Sequence, residues 1–148
     1  MLEHQINDTL KQALKDGDKT KLSVFRMIVS SIKNKKIDDG VKELDDDKVI
    51  ALIQKKARQH QESMKQFEEG GRQDLVEKEA TELKYLEEFL PEQLSEEEVT
   101  KIVEEVIAET GASSVRDMGK VMGKIMPRVK GKADGNLINK IVSSRLAQ

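Results

Sequence analysis

The sequence predicts an all-helical protein: an N-terminal four-helix domain of two helical hairpins, followed by a C-terminal three-helix domain. Three observations carry that prediction. Apolar residues recur at steps of three and four along almost the whole chain. No segment alternates with the period of two that a strand requires, so no sheet is assigned. Charged residues make up 36% and aromatic residues only 3%, the balance of a core built from leucine, isoleucine, valine and methionine on helices.

Leu2, Ile6, Leu10 and Leu14 repeat at four-residue spacing, a first helix ended by the turn signal Asp16-Gly17-Asp18. Leu22, Phe25, Val29 and Ile32 give a second helix that runs into the polar stretch Asn34 to Lys36, with Gly40 in the loop beyond. These two form the first hairpin. Asp45 precedes Asp46, Asp47 and the series Val49, Ile53, Ala57, His60, Met64 and Phe67, whose alternating steps of four and three describe a long third helix with a coiled-coil-like seam. Gly70-Gly71 stops it. Arg72 opens a fourth helix carrying Val76, Ala80, Leu83, Leu86 and Leu90, which Pro91 forbids from continuing. Helices three and four form the second hairpin.

Pro91-Glu92-Gln93-Leu94 is the candidate boundary, dividing the chain into residues 1–92 and 93–148. Ser95 with Glu98 three positions on is a capping box, and Val99, Ile102, Val103, Val106 and Ile107 form the buried stripe of the helix it starts. Gly111 ends that helix. Ser114 with Asp117 opens a sixth, limited by Pro127, and Asp134 caps a seventh that carries Leu137, Ile138, Ile141, Val142 and Leu146.

Composition narrows the function classes. The absence of cysteine removes disulfides, thiolate nucleophiles and cysteine-ligated zinc. Apolar runs are only a few residues long, and Met1-Leu2-Glu3-His4 lacks the basic and apolar regions of a secretion signal, so a soluble, cytoplasmic protein with no membrane partner is expected. No metalloprotease, serine-hydrolase or phosphate-binding-loop pattern occurs, and no catalytic residue, metal or cofactor is assigned. Asp45-Asp46-Asp47 lacks the spacing and glycine of a calcium loop and reads as capping and dipole compensation. His4 and His60 stand alone, and His60 on the seam of helix three reads as a satisfied core histidine.

The net charge of −2 conceals an asymmetry: from Arg116 to Gln148 eight Lys and Arg face two Asp, giving +6 and leaving −8 for the rest. A basic tail on an acidic body points to a polyanionic partner. Within that tail the tetrad Met-Gly-Lys-aliphatic occurs twice, so Met118 and Met122, Gly119 and Gly123, and Lys120 and Lys124 each stack one helical turn apart. Two glycines inside a helix cost about 1 kcal/mol each relative to alanine, so either a helix crosses closely there or a ligand backbone does. The stripe Lys120, Lys124, Arg128 either tracks an anionic strand or faces water, and Met118, Met122 and Met126 are either core or a partner surface. Lys130-Gly131-Lys132, with Arg128 before it and a helix N-terminus after it, is either a phosphate cradle or a solvated loop in which Asp134 caps the helix. Gly70-Gly71-Arg72 is a hairpin turn or a secondary anion site.

Four runs in order, Phe25-Arg26-Met27 to Ser31-Ile32-Lys33-Asn34, Gly70-Gly71-Arg72-Gln73-Asp74-Leu75, Leu90-Pro91-Glu92-Gln93-Leu94-Ser95 and Asp117-Met118-Gly119-Lys120 to Ala133-Asp134-Gly135, resemble those of YqeY-type proteins of the GatB/YqeY group. The resemblance covers nearly the full chain. It implies an N-terminal helical domain and a C-terminal module similar to the tail of the B subunit of glutamyl/aspartyl-tRNA amidotransferase, a module that contacts tRNA. It also implies an association with carbon–nitrogen ligase activity that uses glutamine as amide donor, without assigning catalysis to this chain. The expected function is therefore binding of structured RNA, tRNA above all, through Arg116, Gly119, Lys120, Gly123, Lys124, Arg128, Lys130, Gly131, Lys132 and Lys140. Association with amidotransferase subunits, or a helical protein-interaction role, are the alternatives. No Phe, Tyr or Trp follows Phe89, so this binding relies on phosphates and shape rather than stacking.

Overall fold

A computed structural model describes residues 1–147, which form seven α-helices, one 3₁₀ turn and no strand. Residues Met1–Leu90 and Pro91–Gln148 are two compact units. Among the described residues no helix is long and apolar enough to cross a membrane.

The first unit holds α1 (Leu2–Asp16), α2 (Lys19–Asp39), α3 (Asp46–Glu69) and α4 (Gln73–Glu87), with α1 packed on α2 and α3 on α4 as the two hairpins. Ile6, Phe25, Ile28, Leu44, Val49, Ile53 and Leu86 are fully buried at its centre, where Phe25 meets Phe89 edge to face at 5.4 Å. Asp18 joins the hairpins. One oxygen accepts the Lys21 N–H at 3.0 Å and caps α2, and the other accepts the Tyr85 hydroxyl of α4 at 3.1 Å.

Three local expectations shift. Leu14 is 61% exposed and Ala13 is buried in its place. A four-residue repeat drifts about 40° per step on a helix of 3.6 residues per turn, so three steps from Leu2 the stripe has left the core. The second helix runs on to Asp39, ended by Gly40 in the left-handed region at φ +66°, where the Val41 N–H bonds the Lys36 carbonyl. Asp45 occupies the cap position of α3 without a side-chain cap bond; instead Asp46 accepts the Leu2 N–H at 2.9 Å and ties the starts of α1 and α3.

The second unit comprises α5 (Glu96–Thr110), the 3₁₀ turn Val115–Asp117, α6 (Met118–Val129) and α7 (Gly135–Leu146). Its core is a lattice of valines and isoleucines at helical spacing: Val99, Val103 and Val106 on α5, Val121, Ile125 and Val129 on α6, Ile138, Val142 and Leu146 on α7. The capping box forms as the local pattern requires, with Ser95 N–H to Glu98 at 2.9 Å and Glu98 N–H to Ser95 Oγ at 3.1 Å. Gln93 Nε2 donates to the Gly131 carbonyl and Leu94 N–H to the Lys132 carbonyl, both at 2.8 Å, so residues 93 and 94 are held by the α6–α7 loop.

Candidate functional site

The face of α6 turned away from the core is where the tail's motifs converge. With Val121, Ile125 and Val129 inward, helical periodicity turns Gly119, Gly123 and Pro127 to the opposite side, and all three are exposed. A Cβ placed on Gly119 or Gly123 meets nothing within 4 Å. No neighbouring helix occupies the glycine face, which rules out the close-crossing reading of this pair. Lys120, Lys124 and Arg128 form an exposed column beside it.

Pro127 lies inside α6 rather than limiting it, and the helix continues to Val129. Proline removes the N–H that would bond the carbonyl four residues back, here Gly123. That residue is exposed, so the carbonyl left without an i+4 donor belongs to the open face. A proline at position 125 or 129 would instead have freed the carbonyl of Val121 or Ile125, on the core side.

The ten sequence-nominated residues separate into groups. Lys120 and Lys124 have no ion pair among the described residues, whereas Arg128 bonds Glu105 of α5 at 2.9 Å. Arg116 is exposed in the 3₁₀ turn. Lys130, Gly131 and Lys132 form the α6–α7 loop, in which Gly131 adopts φ +75° and the Lys132 N–H returns to the Val129 carbonyl at 2.8 Å. Asp134 accepts the Asn136 N–H at 2.9 Å, so the N-terminus of α7 carries its own side-chain cap. Lys140 lies elsewhere, lining a groove of α5 and α7 with Glu96, Thr100, Ser144 and Arg145. Arg145 in turn pairs with Glu104 at 3.2 Å.

Met118 and Met122 pack partly buried against the core, and Met126 is 37% exposed. At the α3–α4 turn Gly71 takes φ +70°, and the Arg72 guanidinium is bound to Asp74 at 3.1 and 3.2 Å. That hydrogen bond raises the Arg72 pKa and lowers that of Asp74. An anion at this turn has to displace Asp74.

His60 is satisfied, as its place on the seam of helix three suggests, but it neither stands alone nor lies in the core. It is half-buried, and its Nδ1 is hydrogen-bonded to Glu79 and lies 3.5 Å from Glu82, both on α4. The sequence signal was present in Glu79 and Glu82 at i,i+3, but their meeting with His60 depends on the pairing of α3 with α4.

The comparisons with known proteins bear on both halves of the chain. Altered inheritance of mitochondria protein 41, mitochondrial, of Kluyveromyces lactis is 37% identical over 84 residues, covering 57% of this chain and 45% of that protein. The protein of the same name from Eremothecium gossypii is 35% identical over 85 residues, covering 57% and 46%. The chain thus spans less than half the length of these curated relatives. Their mitochondrial designation corrects the cytoplasmic expectation: lack of cysteine and of a secretion-signal pattern at the first residues suits more than one compartment. The family described as Yqey-like protein matches residues 3–146, and on that match, over nearly its whole length, the chain belongs to the Yqey-like protein family.

Proposed function

We propose that the outer face of α6 binds the sugar–phosphate backbone of structured RNA, tRNA in particular. One observation carries the reading: Gly119 and Gly123 are open to solvent beside Lys120 and Lys124, two exposed lysines with no ion pair among the described residues. A helix face without side chains lets a nucleic-acid backbone approach the helix itself, and the adjacent ammonium groups meet its phosphates. The Gly123 carbonyl, deprived of its i+4 donor by Pro127, is an acceptor for a ribose 2′-hydroxyl, the group that separates RNA from DNA. Arg116 and the lysines of the α6–α7 loop extend the positive charge at either end of the helix.

Phosphate contacts release counterions, so affinity falls with salt by about 0.7–0.9 log units per contact per decade of salt concentration. The test is tRNA binding across a salt series for the wild type and for Lys120→Glu/Lys124→Glu. Both lysines are exposed, so the double variant is expected to keep its fold, checked by its helical circular dichroism and Tm. It is expected to bind at least roughly tenfold more weakly, with a salt slope shallower by about two contacts. Equal affinity and slope, or no binding by the wild type, refutes the reading.

A further inference from the structure

We propose that His60, Glu79 and Glu82 form a binding site for a divalent transition-metal ion of the zinc type, on the packed face of α3 and α4. Glu79 and Glu82 stand at i,i+3 on α4, which points both carboxylates the same way. His60 comes from the antiparallel α3 and brings Nδ1 between them. One ligand atom from each residue lies within 4.8 Å of the other two, a convergence that no other three His, Asp or Glu residues reach among the described residues. The 3.5 Å between His60 Nδ1 and Glu82 is close to the roughly 3.4 Å edge of a tetrahedron with Zn–N and Zn–O bonds of about 2.0–2.2 Å, whereas the direct hydrogen bond between Nδ1 and Glu79 has to open for both to ligate one ion.

Electrostatics favours a cation here. The side chains of His60, Glu79 and Glu82 are only 16%, 19% and 14% exposed, so two carboxylates share a partly desolvated space. Like charges so placed repel unless positive charge joins them. Lys56 is the cation lining the adjoining cleft, and a divalent ion supplies what one ammonium does not.

Donor chemistry sets the class of ion. One imidazole nitrogen with two carboxylate oxygens suits zinc, manganese or ferrous iron, while calcium and magnesium prefer oxygen donors alone. The cleft beside the cluster, lined by Ser23, Met27, Lys56 and Leu86, holds about 20 Å³, room for about one water. Three protein ligands and one water make an open coordination sphere, the arrangement that leaves a position for exchange.

The test is titration calorimetry of ZnCl₂ into the chelator-treated full-length chain at neutral pH, with Co²⁺ absorption as a second readout. The wild type is expected to bind one ion per chain. Glu82→Gln preserves shape and hydrogen-bonding capacity and is expected to weaken binding by roughly tenfold or more, and His60→Ala to abolish it. His4→Ala, at the exposed pair with Glu43, is expected to leave it unchanged. No saturable binding by the wild type overturns the site and leaves His60 as a hydrogen-bond partner of Glu79. Zinc bound equally well by Glu82→Gln and His60→Ala overturns it too.

Discussion

Glu3 shows how one residue can hold a hairpin domain together without announcing itself in sequence. It is 5% exposed, and its carboxylate accepts hydrogen bonds from the Lys36 ammonium and from the Leu44 N–H, the latter at 3.0 Å. It thereby joins the start of α1, the end of α2 and the loop before α3. Burial by itself raises its pKa, but the hydrogen bonds from Lys36 and Leu44 and the Lys36 charge outweigh it and hold the group below its ordinary 4.5. A carboxyl with a depressed folded-state pKa contributes stability that is present above the unfolded value and lost as pH falls through the folded one. Glu3→Gln is therefore expected to cost about 1–3 kcal/mol at pH 7, read by chemical denaturation, and to flatten the decline in stability expected of the wild type as pH falls below 4.5. Loss of stability with an unchanged acid limb would assign the effect to packing alone. Nothing in the sequence marks Glu3, because its partners lie 33 and 41 positions away. Ser95 and Glu98, three residues apart, were legible for the opposite reason.

At the scale of the element, α6 combines three features that weaken a helix: a glycine at its second position, a glycine in its interior and a proline before its end. Their common orientation explains why the helix tolerates them. Gly119, Gly123 and Pro127 share the exposed side, while Val121, Ile125 and Val129 at 0% exposure anchor the other. Because a Cβ at either glycine meets open space, stability alone gives no reason for glycine there. Gly119→Ala and Gly123→Ala are each expected to stabilise the protein by about 0.5–1 kcal/mol, visible as a raised Tm. Destabilisation would mean that the glycine face is packed in solution. The sequence placed both glycines and the lysine column on a helix, but not what faced them. Periodicity reports which residues share a side and says nothing of whether another element covers it. The same gap let Pro127 pass for a helix end, when an exposed i−4 carbonyl makes it tolerable mid-helix.

Across the whole molecule, charge is sorted by helix rather than by unit. Residues 91–148 contain nine Lys and Arg and nine Asp and Glu, so the C-terminal unit is neutral in sum. Its acids gather on α5, and Glu104 and Glu105 bind Arg145 and Arg128, cations that the composition of the tail counted as free. The basic surface is consequently smaller than the +6 of residues 116–148 suggests and centres on Lys120 and Lys124. The hairpin layout and the two apolar cores followed from periodicity, turn residues and capping motifs, all of them local. Ion pairing between α5 and its neighbours was not legible, because it depends on how three helices pack. Tertiary placement likewise decides whether the cations serve a partner or one another. The account rests on bare backbone being kept at Gly119 and Gly123 for an RNA strand. The direct measurement is tRNA affinity of Gly119→Ala/Gly123→Ala beside its Tm: a higher Tm with affinity reduced by roughly tenfold, about 1.4 kcal/mol, is the predicted result. A higher Tm with unchanged affinity would contradict it.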